Sequence, residues 1–107
     1  MSRGIVTVLT RARDLVARPG GWTQEEGARD DMGRPVPVFS PDACSFCSMG
    51  AIARACEDRH FEKGWDILRT ALGGRLVAPW NDAPERTQAE VVAAFDRAIE
   101  LAREAGV

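Results

Sequence analysis

The sequence of 107 residues lacks any long apolar run. No stretch approaches the roughly 20 consecutive apolar residues that a membrane-spanning helix needs. The apolar run at residues 5–9 is too short for the core of a signal peptide, and Arg11 and Arg13 follow it closely. We therefore expect a cytoplasmic protein without a targeting segment.

Cysteine and lysine are both scarce. Three cysteines are an odd, low count that does not indicate the disulfide framework of a secreted protein, so we expect reduced thiols. Lys63 is the only lysine, and the arginines are spread along the chain with acids between them. With a net charge of −2, this pattern indicates solvated faces, and we expect neither nucleic acid nor a membrane as a partner.

The common catalytic and phosphate-binding motifs are missing. There is no calcium loop of the Asp-x-Asp-x-Asp-Gly type, no His-Glu-x-x-His and no Gly-x-Ser-x-Gly elbow. Gly20-Gly21 and Gly73-Gly74 follow predicted helices, whereas a phosphate loop precedes its helix. The sequence therefore does not favour an enzyme, and we expect no cofactor.

Apolar residues recur at helical spacing in four segments, which predicts a mainly α, four-helix single domain spanning residues 1–107. The first helix ends at Pro19 and the third at Gly73-Gly74. The last begins at a capping box formed by Thr87 and Glu90. The apolar faces of these three helices are Ile5, Val8, Leu9, Ala12, Leu15 and Val16; Phe61, Trp65, Leu68 and Leu72; and Val91, Phe95, Ala98 and Ala102.

The second helix contains all three cysteines. Ser40-Pro41-Asp42 carries helix-start signals, so we predict a helix from there that fades near Asp58-Arg59. Its apolar stripe comprises Met49, Ile52, Ala53 and Cys56. Its small residues, Gly50, Ala51 and Ala55, predict a face that another helix approaches closely.

The segments between the helices read as turns and short extended chain. A turn at residues 30–33, followed by alternating Val36 and Val38, predicts a small irregular β-hairpin between helices 1 and 2. Pro35 and Pro37 restrict any strand there to a sheet edge. Residues 76–79 read as an extended link and residues 80–84 as a compact turn.

Cys44 and Cys47 form a Cys-x-x-Cys pair at the predicted start of helix 2. A helix N-terminus favours a thiolate, which makes these two residues the candidates for redox catalysis. The surrounding pattern is not thioredoxin-like, because no βαβ unit encloses the pair. Two half-buried structural cysteines are the more frequent explanation.

A zinc site from Cys44, Cys47, Cys56 and His60 requires these ligands to meet at one ion. A continuous helix separates Cys47 from Cys56 by about 13 Å along its axis, too far for bonds of about 2.3 Å. We therefore expect no metal. By the same distances His60 lies too far from Cys44 to be its catalytic base, and we expect it to cap or flank helix 3.

Trp22 and Trp80 lie in predicted turns, where an indole either plugs the end of a bundle or stacks on a ligand. Asn81 and Asp82 follow Trp80 directly. These four residues, Trp22, Trp80, Asn81 and Asp82, are the candidate binding residues.

Several short motifs occur in a recognisable order: Gly21-Trp22-Thr23-Gln24, Ala28-Arg29-Asp30 with Gly33-Arg34-Pro35-Val36, Ala43-Cys44-Ser45-Phe46-Cys47 with Gly50-Ala51-Ile52, Trp80-Asn81-Asp82, and Arg86-Thr87. This order resembles a family of small bacterial and phage proteins known only as a domain of unknown function. Family members often carry Trp between the two cysteines, where this chain has Phe46. The resemblance implies no activity, but it implies that residues 80–82 and the segment at Cys44 belong to one recurring unit.

Two functional hypotheses follow, and a third, nucleic-acid binding, has only the scattered arginines to support it. The first is a small helical binding or accessory protein that works through a protein partner or through self-association, as its small-residue face suggests. The alternative is a thiol-active protein that uses Cys44 and Cys47.

Overall fold

A computed structural model of the protein describes residues 3–56 and 60–106. Its elements in chain order are α1 (Arg3–Ala17), β1 (Ala28–Arg29), β2 (Ser45–Phe46), α2 (Ser48–Cys56), α3 (Phe61–Ala71), α4 (Val77–Asp82) and α5 (Gln88–Ala105). The fold is therefore mainly helical with a small antiparallel sheet. None of the helices in these ranges is long and apolar enough to cross a membrane.

The core lies where α1 packs against α5 and α2, with α3 also against α5. It is built mainly from the predicted apolar faces of α1, α3 and α5, because each amphipathic helix has to bury one stripe of side chains. On α2 the buried apolar side chains are Ala51, Ile52, Ala55 and Cys56, whereas Met49 and Ala53 of the predicted stripe are half-buried. Its largest fully buried side chains include Phe46, Phe95, Leu9, Ile52 and Leu68.

Three of the predicted helices are confirmed. α1 ends at Ala17, just before Pro19. α3 ends at Ala71, and Gly73 beyond it has a φ of 71°, a conformation that glycine adopts without a Cβ penalty. At the start of α5, Thr87 accepts from the Glu90 N–H and the Glu90 carboxylate accepts from the Thr87 N–H, which completes the predicted capping box.

The predicted start of the second helix is wrong. Ser40 does not cap a helix: its hydroxyl accepts from the Asp42 N–H at 3.1 Å and its carbonyl accepts from the Ala43 N–H at 3.1 Å, which closes a turn. The chain then extends through β2, and α2 begins only at Ser48. The predicted fading of this helix near Asp58-Arg59 lies outside the described residues.

The sheet lies between α1 and α2, but the strands differ from the predicted hairpin. Ala28 pairs with Phe46 and Arg29 with Ser45, so the partner of β1 is a segment that was predicted to be helical. The predicted turn at residues 30–33 does form, and it brings Pro35 opposite Arg29 on the other edge of β1. Phe46 also bridges to Trp22, which joins the chain after α1 to the sheet.

The described residues contain five helices, one more than predicted. The additional helix is α4, at the segment predicted as an extended link and turn. It is only six residues long, so it shows no helical period, and Pro79 lies in its first turn, where a missing N–H costs no helical hydrogen bond.

The small-residue face of α2 is covered from within the chain. Gly50 and Ala51 are fully buried and Ala55 is 6% exposed. At Gly50 the neighbour is backbone, not a helix: a Cβ there would overlap the carbonyl of Gly27. The helix that packs most extensively against α2 is α1, and Gly64 of α3 provides a further close approach, where a Cβ would lie 3.3 Å from Ile52 Cγ2.

Candidate functional site

Asn81 is the centre of a buried hydrogen-bond network. Its side chain is held on α4 and is 1% exposed. Its Oδ1 accepts from Trp22 Nε1 at 2.9 Å, from the Ser48 N–H at 2.9 Å and from the Ser48 hydroxyl at 2.7 Å. Its Nδ2 donates to the Thr23 carbonyl at 3.1 Å and to Asp82 Oδ1 at 3.0 Å.

Further hydrogen bonds join α4 to the chain after α1. The Gln24 amide donates to the backbone carbonyls of Asn81 at 3.0 Å and Ala83 at 2.8 Å. Asp82 Oδ1 accepts from the Glu25 N–H at 2.8 Å. Glu25 is the one non-glycine residue with a positive φ, 71°, among the described residues. Because this conformation is unfavourable for a residue with a Cβ, the contact with Asp82 has to hold it in place.

Of the four candidate binding residues, the structure joins Trp22, Asn81 and Asp82. Both N–H groups and the carbonyl oxygen of the Asn81 amide are bonded within the chain, so no polar atom of this side chain is left to recognise a ligand. The geometry therefore indicates that these three residues have a structural role. Their hydrogen bonds connect α4 to the start of α2 and to the segment after α1.

Trp80 belongs to a different surface. Its half-buried ring lines a groove of about 420 Å³ together with Arg75, Leu76, Pro79, Ala83 and Arg86, here called the α4 groove. The Arg86 guanidinium stacks 4.3 Å from the ring centroid, and its Nε donates to the Trp80 carbonyl at 2.9 Å. Arg86 also lies 3.3 Å from Glu90 Oε2, so the ring is clamped by a fixed cation.

The α4 groove offers apolar surface to solvent. Leu76 is 54% exposed, and Pro79 is exposed beside it. Arg75 is an exposed cation at the same groove. The sequence signals for this surface were weak, because Leu76 belongs to no motif, Arg86 appears only in the pair Arg86-Thr87 of the family resemblance, and α4 was predicted as an extended link and a turn.

The two cysteines of the Cys-x-x-Cys pair are placed differently from the prediction. Cys44 precedes β2 and is exposed, whereas Cys47 directly precedes α2 and is half-buried. Only Cys47 therefore lies at a helix N-terminus. Because the chain between Cys44 and Cys47 is extended, their Cα atoms are about 10 Å apart, beyond the roughly 7 Å that a disulfide tolerates.

Cys47 caps α2 through sulfur. Its Sγ accepts from the Gly50 N–H at 3.2 Å, one of the backbone donors left unpaired at a helix start. Burial raises the pKa of the Cys47 thiol, and the hydrogen bonds from the Gly50 and Met49 N–H groups oppose this only in part. This thiol is consequently mostly protonated at neutral pH, which lowers its nucleophilicity.

Cys56 and His60 do not join the cysteine pair. Cys56 is buried at the other end of α2, where its thiol lies 3.4 Å from the Ala53 carbonyl. His60 flanks α3 as predicted, and its side chain makes no capping hydrogen bond there. Within residues 3–56 and 60–106, no three His, Cys, Asp or Glu side chains are close enough to share a metal ion.

A family model matches residues 2–101, nearly the whole chain. The chain belongs to a family of unknown function, DUF6197. Residues 21–24, 44–47 and 80–82, which carried the resemblance, all lie within the match, so the expected membership is confirmed. No match was found among curated proteins or among solved structures. In this DUF6197 chain the buried network around Asn81 joins residues 80–82 to Ser48 at the start of α2.

Proposed function

We propose that the protein is a small binding module and that it docks a partner protein in the α4 groove. The observation that carries the proposal is the clamped, half-buried indole of Trp80 beside the exposed Leu76. The occupant is a segment of another protein that presents an apolar side chain next to a carboxylate.

Rigid aromatic and arginine side chains favour protein binding at this groove. Residues of these types dominate the binding energy of protein interfaces. Because Arg86 fixes the Trp80 ring through stacking and through its carbonyl, little side-chain freedom is left to lose on binding.

The charge of the groove supports an acidic segment as the occupant. Arg75 and Arg86 both line the groove, and Arg86 already forms an ion pair with Glu90. Arg75 is therefore the cation offered to an incoming carboxylate. Leu76 and Pro79 supply the apolar contact that an aliphatic or aromatic side chain would cover.

Selection from a displayed random peptide library tests this proposal. Peptides that bind the protein should share an apolar residue beside Asp or Glu. Leu76→Glu should abolish their binding, because it places a negative charge against the acidic segment. Met32→Glu is the matched control, since Met32 is 73% exposed but lies outside the groove.

Three results would contradict the proposal. The first is a selection that yields no peptide whose binding depends on Leu76. The second is a set of peptides that bind Leu76→Glu as tightly as the unmodified protein. The third is sedimentation showing that a second copy of the chain fills the groove, with self-association that Leu76→Glu abolishes.

Thiol chemistry at Cys44 and Cys47 is the alternative function, and the exposure of Cys44 favours it. Its support is weaker, because Cys47 is half-buried and has a raised pKa. A reduction potential measured for the pair tests it. A disulfide between Cys44 and Cys47 that forms reversibly in the folded protein would support the alternative, and two cysteines that never pair would contradict it.

A further inference from the structure

A second groove, distinct from the α4 groove, lies between α1 and α2. It has a volume of about 350 Å³ and is lined by Arg11, Asp14, Leu15, Arg18, Arg54 and Ala55. We propose that this arginine groove binds a small phosphomonoester, with the phosphate between the guanidinium groups and the apolar body of the ligand over Leu15 and Ala55.

Two of its arginines come from α1 and from the residue that follows it. Arg11 and Leu15 are spaced at i and i+4, so they lie on the same side of the helix. Arg18 lies one residue beyond the end of α1 at Ala17, and both arginines are exposed and line the groove. In the proposed complex the phosphate lies between these two long side chains.

The third arginine is fixed in position by the chain. Arg54 of α2 donates from Nη1 to the Val38 carbonyl at 2.6 Å and to the Ser40 carbonyl at 3.0 Å. Its guanidinium also lies 5.6 Å from the ring centroid of Phe46, a side chain that is 1% exposed. A guanidinium held in this way is already ordered before a ligand arrives, which lowers the entropic cost of binding.

The charge of the groove selects a dianion. Three arginines and one carboxylate, Asp14, line the groove, and that carboxylate is 3.4 Å from Arg13 Nη1. The local excess is therefore positive although the whole chain has a net charge of −2. Arginine forks match the oxygens of a phosphate group, and a groove of this volume suits a small molecule.

Calorimetric titration with phenyl phosphate tests the proposal, with inorganic phosphate and sulfate as comparison ligands. Phenyl phosphate should bind saturably and more tightly than either inorganic anion, because its ring covers the apolar floor. Arg18→Gln and Arg11→Gln should each weaken binding about tenfold, the usual effect of losing one charge-assisted hydrogen bond. Arg97→Gln, an exposed change on α5 outside the groove, should leave the affinity unchanged.

Arg54 is not replaced by an uncharged residue, because its bonds to Val38 and Ser40 also hold the loop before β2. Arg54→Lys keeps the charge but loses the planar fork, so we expect it to weaken phenyl phosphate binding while the protein still folds. The proposal is overturned if phenyl phosphate shows no saturable binding or if Arg97→Gln weakens it as much as Arg18→Gln. It is also overturned if a single-stranded oligonucleotide occupies the groove and phenyl phosphate does not displace it.

Discussion

Asn81 on α4 holds the first residue of α2, since its Oδ1 accepts from both the N–H and the hydroxyl of Ser48, at 2.9 and 2.7 Å. The Ser48 N–H is one of the donors that a helix start leaves without an intrahelical partner. A side chain 33 positions later in the chain therefore completes the cap of α2, alongside the sulfur of Cys47. This relationship joins the start of α2 to α4 across the buried network.

Asn81→Leu should destabilise the protein by about 3 kcal/mol or more. The change leaves buried donors on Trp22 and Ser48 without their acceptor, and each unsatisfied buried group costs about 1–3 kcal/mol. Urea unfolding measures the loss. Glu85→Gln, at an exposed position, is the control and should change the free energy of unfolding by less than about 0.5 kcal/mol. Equal unfolding midpoints for Asn81→Leu and the unmodified protein would contradict the role given to this network.

Gly50→Ala should cost about 2 kcal/mol or more, because the new methyl group overlaps the Gly27 carbonyl and one of the two backbones has to move. Gly64→Ala is the matched control, a buried glycine in a neighbouring helix. Its methyl group would lie 3.3 Å from a side-chain atom of Ile52, and the gain in helix propensity of about 1 kcal/mol offsets this crowding. The midpoint temperature of thermal unfolding should be clearly lower for Gly50→Ala than for Gly64→Ala. The reverse order would mean that the Gly27 backbone does not lie against α2 as described.

Alkylation should modify Cys44 before Cys47. Cys44 is exposed, whereas burial raises the pKa of Cys47 and reduces its thiolate fraction at neutral pH. Mass spectrometry of protein treated with iodoacetamide measures the order, and the Cys47 rate should keep rising with pH above the ordinary thiol range. Urea-unfolded protein is the control, in which both cysteines should react alike. Faster modification of Cys47 in the folded protein would refute this assignment and strengthen the thiol alternative.

Acid should remove a stabilising contribution from Asp30. The pKa of its carboxyl group is lowered chiefly by the hydrogen bond from the Arg34 N–H, and further by the Arg34 side chain and the Met32 N–H. The folded value lies below the ordinary 3.8, so this contribution is present above that value and is lost as the pH falls through the lowered pKa. Asp30→Asn should therefore lose less stability than the unmodified protein between about pH 4 and about pH 2, measured by urea unfolding. Asp31→Asn, at the exposed neighbouring position, is the control and should lose as much stability over this pH range as the unmodified protein.

The helices with strong local signals were predictable from sequence. α1 and α3 combine a clear apolar period with a proline or glycine after their ends, and Thr87 with Glu90 specifies the start of α5. These features act within a few residues, so local pattern is sufficient to find them.

The start of α2 and the whole of α4 depend on distant contacts. Ser40-Pro41-Asp42 has the residue types of a helix start, but β1 and Gly21 take the hydrogen bonds of residues 44–46 and keep the chain extended. α4 is stabilised by hydrogen bonds from Gln24 and Trp22, which lie in the segment after α1. Asn81 has no local feature that predicts its burial, because its partners other than Asp82 lie 33 to 59 positions away.

The α4 groove was missed for a related reason. Trp80 was identified as a candidate binding residue, but it was grouped with Asn81 because the two are adjacent in sequence. On a helix, neighbouring residues point about 100° apart, so Asn81 enters the buried network while Trp80 faces the groove. One short motif therefore contributes to both the folding network and the proposed docking surface.

The affinity of a selected acidic peptide for Leu76→Glu, compared with Met32→Glu, tests the docking proposal most directly. Leu76 is exposed at the residue before α4, where a negative charge is compatible with the helix N-terminus, so the variant should fold normally. Fluorescence polarisation should show binding weakened at least about thirtyfold by Leu76→Glu, as expected for a residue that dominates an interface, and changed less than about twofold by Met32→Glu. Equal affinities of the two variants would contradict the assignment of the α4 groove as the docking surface.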